Sequence, residues 1–313
     1  MLGKILPDAC DRSGHSLAFL LYIDPIYKDL IFISDWNDWW GRGGLINEQR
    51  PSWYIPIFGP METYFEEAFR HRADGVTVIS TALAERAVGL GIKRKNICRI
   101  SGGVDTDFFK PIPKKMAREQ IGINQNIKVA VFSAGKVIID LELVLLAFTK
   151  VCKQFPDAKL MLTGRKSPLT WEIARRHGIE KNILELGMVP FEDFPKYLAC
   201  ADVFLLPFKN KIANFGRWPN KAGEYMSIGR PLVSNPVGDI KELFDQESIG
   251  LLADEDPEDF AEKIMLLFEN TQLCNELGNN GRRVAKEQFE WPVLTKQLEE
   301  FYYKFIYSET FKC

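Results

Sequence analysis

The sequence predicts an α/β protein made of two doubly wound domains with parallel sheets. Apolar runs rich in Val, Ile, Leu and Phe alternate with helix-patterned segments almost from end to end. Those runs lack polar alternation, as strands covered on both faces do. A proline-rich break, Phe108 to Pro113 (F-F-K-P-I-P), separates one such series from a second.

In the first series, Asp29 to Ser34 (D-L-I-F-I-S) reads as a buried strand. Met61 to Arg72 has helical periodicity, and Val76 to Ser80 is the next strand. Thr81 is read as the N-cap of a helix over Ala82 to Val88, stopped by Gly89 and Gly91. Asn96 to Ser101 is a third strand. After the break, strands are expected at Ile127 to Ala134, Ala158 to Gly164, Asn182 to Gly187, Asp202 to Pro207, Leu232 to Pro236 and Gly250 to Ala253. Helices are expected at Leu141 to Phe155 and around Trp171 to His177, and from Pro257 the pattern is helical only. The domains are set at 1–108, 109–290 and a C-terminal helical segment 291–313 that returns to the first domain.

The chain has 313 residues and a net charge of −2, from 40 basic and 42 acidic side chains. That balance gives no footprint for nucleic acid, while a local contact with a membrane surface stays open. The cysteines at 10, 98, 152, 200, 274 and 313 form no C-x-x-C and no zinc spacing. A reducing, cytoplasmic location is expected, with peripheral attachment to a membrane as an addition. No signal peptide is read, and the apolar run Leu17 to Ile23 is too short to span a bilayer.

Ligands of open parallel sheets bind beyond the carboxyl ends of the strands, so the loops there matter most. Ser133-Ala134-Gly135-Lys136 offers a small turn and a cation to an anion. Thr163-Gly164-Arg165-Lys166 offers a glycine and two cations, and Gly187-Met188-Val189-Pro190 only backbone. Each alone is equally an ordinary surface turn. The stretch Asn214 to Met226 is the most informative. Pro219 suits the first turn of a helix, whose free N–H groups at Asn220 and Lys221 would face the ligand. Glu224 falls on the same helix, where a carboxylate can accept from a pair of ribose hydroxyls; it also suits the helix dipole. Asp105-Thr106-Asp107 lies at the domain junction, off the strand ends, and is not read as a metal site. There is no G-x-G-x-x-G and no P-loop.

Together V-T-V-I-S-T-A-L-A-E (76–85), S-G-G-V-D-T-D-F-F-K-P (101–111), A-D-V-F-L-L-P (201–207) and P-N-K-A-G-E-Y-M-S-I-G-R-P-L-V-S (219–234) resemble glycosyltransferase family 4. The resemblance implies the GT-B fold, two Rossmann-like domains facing a cleft, with the N-terminal one incomplete. It implies sugar transfer with retention from a UDP- or GDP-linked donor, with no metal or other cofactor, to an acceptor hydroxyl that the sequence does not identify. Lys136 then meets the donor diphosphate and Glu224 holds its ribose; these two are the expected catalytic residues. Gly135, Arg165, Val189, Asn220 and Lys221 complete the donor site, with Val189 at the base.

Three departures stand out. The family's first paired Glu falls at Gly216, so Asn214 or Arg217 would take its sugar contact. A second basic residue is missing after Lys136, where Arg165 or Lys166 would compensate. The stretch before the break, about 108 residues, is short for a domain of the family, which takes roughly 150 or more. These departures keep a rival reading open: a truncated, non-catalytic nucleotide-sugar-binding relative or partner subunit. A sugar-nucleotide epimerase would need acid–base groups that cannot be placed.

Overall fold

The computed structural model describes residues 6–7, 31–68, 70–134 and 140–310. In chain order the strands are β1 (Leu6–Pro7), β2 (Phe32–Trp36), β3 (Gly75–Val78), β4 (Ile97–Arg99), β5 (Val129–Ser133), β6 (Lys159–Thr163), β7 (Ile183–Gly187), β8 (Val203–Leu206), β9 (Leu232–Ser234) and β10 (Gly250–Leu252). The helices are α1 (Leu45–Gln49), α2 (Tyr54–Ala68), α3 (Thr81–Gly89), α4 (Lys114–Ile121), α5 (Leu141–Gln154), α6 (Pro168–His177), α7 (Phe194–Ala199), α8 (Ile212–Phe215), α9 (Asn220–Ile228), α10 (Gly238–Glu247), α11 (Pro257–Glu269), α12 (Thr271–Gln288) and α13 (Trp291–Thr310). Every strand pair is parallel, as the alternation predicts. The run 17–23, Cys10 and Cys313 lie outside the described residues. Among the described residues no helix is long and apolar enough to cross a membrane.

The chain forms two compact units. The first ends at Gly102 and also takes in Lys211–Trp218 and the residues from Pro292 onward. Its sheet runs β1-β2-β3-β4. Trp36, Val76, Val78, Leu83 and Ala87 form one core cluster, and Ile31, Ile33 and Phe301 a second. A Cβ on Gly75 would sit 2.7 Å from the Phe305 ring and 2.9 Å from that of Phe301, so the bare glycine lets α13 lie against β3. The cap of α3 is Ser80, whose Oγ accepts from the Leu83 N–H at 3.2 Å; Thr81, read as the cap, is the first helical residue.

Helix α2 is longer than the periodicity over 61–72 predicts, and its faces are reversed. Glu62, Glu66 and Glu67 are buried, whereas Ile57, Met61 and Tyr64 are exposed. The inward face is set by donors. The Trp36 indole donates to Glu66 at 3.0 Å, the Trp40 indole donates to Glu62, and the Arg86 guanidinium reaches Glu66 at 2.7 Å and Glu67 at 2.8 Å. Buried N–H groups and a buried cation require carboxylate partners, and that requirement overrides the apolar stripe.

The second unit runs over Gly103–Asn210 and Pro219–Trp291. Its sheet order is β10-β9-β8-β5-β6-β7, the doubly wound order that reverses direction between β5 and β8. Phe148, Leu145, Leu160, Phe260, Ile264 and Phe268 are fully buried in its core. Helix α4 follows the proline break and was not legible in the apolar pattern. Its anchor is Arg118, 1% exposed, which pairs with Asp202 at 2.8 Å and donates to the carbonyls of Cys200, Gln125 and Ile127. Asp202 also accepts from the Val129 N–H at 2.8 Å, so this buried pair ties the starts of β5 and β8 together.

Candidate functional site

The switch point between β5 and β8 is where a ligand is expected to bind. At the carboxyl end of β5 the Ser133 N–H donates to the Tyr225 hydroxyl at 2.9 Å. The hydroxyls of Ser133 and Thr163 are 2.8 Å apart. The Ala134 N–H donates to Thr163 O and the Gly164 N–H to Gly187 O, each at 2.8 Å. Gly164 has φ +96°, and a Cβ there would stand 1.8 Å from Ala134 O, so only glycine closes these strand ends together.

Helix α9 follows β8. Pro219, read as a first-turn residue, is the N-cap, with φ −79° and ψ 105°, and the helix begins at Asn220. The Ala222 N–H closes on Pro219 O at 2.8 Å, so the amides of Asn220 and Lys221 are the first-turn donors directed out of the helix end. Lys221 Nζ lies 2.7 Å from Glu224 Oε2 and 4.5 Å above the Phe194 ring. The Glu224 side chain is 17% exposed. Burial pushes its carboxyl above the ordinary range, and the charge and hydrogen bond of Lys221 oppose that rise. Tyr225, 1% exposed, stacks on Phe204 of β8 with centroids 4.0 Å apart and planes 2° from parallel. Burial raises its phenol far above the ordinary range, and the hydrogen bond accepted from Ser133 opposes that rise.

Lys221 and Glu224 are thus paired, and the Asn220 and Lys221 amides open the same helix. Arg165 is exposed just beyond Gly164. Lys166 runs beneath Gly187, where a Cβ would meet its Cε at 2.9 Å. Val189 is half-buried in the loop after β7, between Met188, 77% exposed, and Phe191, which stacks on Phe108 at 4.6 Å. Gly135 and Lys136 lie outside the described residues.

Asn214 and Arg217 belong to the first unit. Asn214 is 1% exposed. Crowding by the fold raises the Asp38 carboxyl to about 6 against the opposing charge of Arg217, although Asp38 keeps contact with solvent. Gly216 packs on Trp39: a Cβ at 216 would stand 2.1 Å from Trp39 Cβ. A glutamate at 216 would therefore collide with the indole's own backbone segment. Asp105 Oδ1 accepts from the N–H groups of Asp107, at 3.0 Å, and Phe108, at 2.8 Å, which closes a turn. Among the described residues no group of three or more His, Cys, Asp or Glu side chains is arranged to hold a metal ion.

Sequence reasoning missed the polar links of Tyr225, Ser133 and Thr163, and the ring of Phe194 beneath Lys221. The only signal was the buried character of Y-M after Glu224, which reports burial and not a partner.

The fold is α/β of the GT-B type. Residues 129–270 match the family described as Glycosyl transferases group 1. The chain is 26% identical over 224 residues to mannosylfructose-phosphate synthase of Agrobacterium fabrum, covering 66% of this chain and 48% of that protein. It is 25% identical over 236 residues to N-acetyl-alpha-D-glucosaminyl L-malate synthase of Bacillus anthracis, covering 74% and 60%. The chain therefore spans about half to three fifths of these relatives' lengths. Among solved structures, sucrose-phosphate synthase from Thermosynechococcus elongatus superposes with a TM-score of 0.73 at 18% identity, covering 93% of this chain and 72% of that one. HepE of Anabaena in complex with UDP gives a TM-score of 0.74 at 18% identity, covering 96% and 79%.

Proposed function

We propose that this protein transfers a sugar from a UDP- or GDP-linked donor to an acceptor hydroxyl, with retention, in the synthesis of a glycan or glycolipid. The observation that carries the reading is the Glu224 carboxylate, held on α9 beside the first-turn amides of Asn220 and Lys221. It lies within the segment that matches Glycosyl transferases group 1. Relatives named as GDP-mannose-dependent and structures named as complexes with UDP support either base.

In this reading Glu224 accepts hydrogen bonds from the ribose hydroxyls. The amides of Asn220 and Lys221, with Lys136 and Arg165, face the diphosphate. The bond between the anomeric carbon and the phosphate oxygen breaks as the acceptor oxygen bonds to the same carbon from the same face. The leaving phosphate takes the acceptor's proton. Negative charge grows on that phosphate, and N–H groups and cations fixed in place stabilise it without a metal ion. Val189 meets the base, and Asn214 and Arg217 take the contact made in family 4 by a glutamate at the position of Gly216. Half-buried or buried thiols at Cys98, Cys152, Cys200 and Cys274 suit a cytoplasmic setting.

A second reading, nucleotide-sugar binding without transfer, is favoured by the contact of Gly216 with Trp39, which leaves no room for that glutamate. Incubation with UDP- and GDP-sugars, followed by NMR of the released sugar, separates the two. Transfer or slow hydrolysis that keeps the donor's anomeric configuration is expected; an inverted product contradicts retention, and binding with no turnover favours the second reading.

A further inference from the structure

We infer that Tyr225 is the positioning residue of Glu224, fixing the rotation of α9 about its own axis so that the carboxylate meets the nucleotide's ribose. The inference rests on the role proposed for Glu224.

Adjacent residues on a helix point about 100° apart, so whatever holds one side chain sets the direction of its neighbour. Tyr225 is held from two sides of the switch point. Its hydroxyl accepts from the Ser133 N–H at the end of β5, at 2.9 Å. Its ring lies parallel to Phe204 of β8 at 4.0 Å. The donor is a backbone group whose own strand is fixed: Ser133 lies opposite Thr163 in the sheet, and their hydroxyls are 2.8 Å apart. Ser133 N–H would otherwise be a buried strand-end donor, and Tyr225 satisfies it. The tyrosine is thus a two-point anchor between a helix and the two strands that flank the reversal of sheet order. Opposite this anchor α9 is closely packed as well: a Cβ on Gly223 would come 3.2 Å from the Val104 side chain. Glu224 itself is held by the Lys221 ammonium, at the end of a long side chain. Loss of the phenol oxygen leaves the ring and its packing intact but removes one of the two points that fix the rotation of α9, so the neighbouring carboxylate is held less precisely.

The test reads the ribose contact itself. Affinities of UDP, GDP and their 2′,3′-dideoxy forms are measured for the wild type, Tyr225→Phe and Glu224→Ala, with melting temperatures recorded in parallel. The wild type is expected to prefer the ribose form of its nucleotide by about tenfold or more, and Glu224→Ala to abolish the preference. Tyr225→Phe is expected to cut the preference to roughly threefold or less, on the scale of one lost hydrogen bond, in a folded protein. Phe204→Leu, which keeps the hydroxyl and loses the stack, is expected to move the preference the same way. A lower melting temperature with the preference unchanged in both variants would make Tyr225 purely structural and overturn the inference. A wild type that does not distinguish the two forms, or a preference that survives Glu224→Ala, would remove the role of Glu224 instead, and the inference with it.

Discussion

Lys221 Nζ stands 2.7 Å from Glu224 Oε2, one turn earlier on the same helix, and the two form a partly buried ion pair above the ring of Phe194. Two opposed effects set the protonation of the carboxylate. Burial favours the neutral acid and the ammonium favours the anion, with burial the larger effect.

Nucleotide affinity is expected to fall on the acid side at a pH above the ordinary carboxylate range. In the proposed site ribose hydroxyls donate to the ionised form, which is lost as pH falls through the raised pKa. Lys221→Met removes the opposing charge, so the acid limb is expected to move to higher pH. Titrations with UDP and GDP between about pH 5 and 8 check this. A limb that moves to lower pH on losing the lysine contradicts it.

For stability the sign is opposite. The unfolded carboxyl ionises at lower pH than the folded one, so this group's contribution to folding declines as pH rises from the unfolded value to the folded value. Glu224→Gln is therefore expected to stabilise the protein at neutral pH, by about 1 kcal/mol, while weakening nucleotide binding. Thermal melting at neutral and acid pH measures it; the gain should vanish in acid.

Gly216→Glu tests whether position 216 can accept the glutamate that the resemblance to family 4 places there. A Cβ there meets Trp39 Cβ at 2.1 Å, so the variant is expected to lose about 1–3 kcal/mol of stability. Gly216→Ala should lose a comparable part of it. Denaturant unfolding is the measurement, and a stable Gly216→Glu protein would show that Trp39 yields easily.

Arg86 is buried between two carboxylates, with side chains 6% exposed for Arg86, 4% for Glu66 and 11% for Glu67. Arg86→Ala leaves those acids without their shared cation, at an expected cost of about 3–5 kcal/mol. The guanidinium lies 4.8 Å from the Trp36 ring and 4.6 Å from that of Trp39, so tryptophan fluorescence should report the loss.

Much of the second unit is legible in the sequence because its strands are mostly apolar runs closed by glycine or proline. Val129–Ser133 and Lys159–Thr163 fall within the segments expected from 127–134 and 158–164. The elements anchored by polar groups are harder to read. Helix α4 buries Ala117 and Arg118 and has no apolar stripe, and α2 turns its glutamates inward toward Arg86 and Trp36. Hydrophobic periodicity carries no record of either arrangement. At the candidate site, Glu224 and the start of α9 were readable from P-N-K-A-G-E. The link from Tyr225 to Ser133 joins residues 92 apart in sequence, and only folding brings them together.

Calorimetric titration of UDP and GDP into the wild type and Glu224→Ala tests most directly whether Glu224 on α9 holds a nucleotide. One of the two nucleotides should bind the wild type, and the variant should bind it at least about tenfold more weakly with its melting temperature no lower than that of the wild type. Equal affinity in the two proteins would contradict the claim.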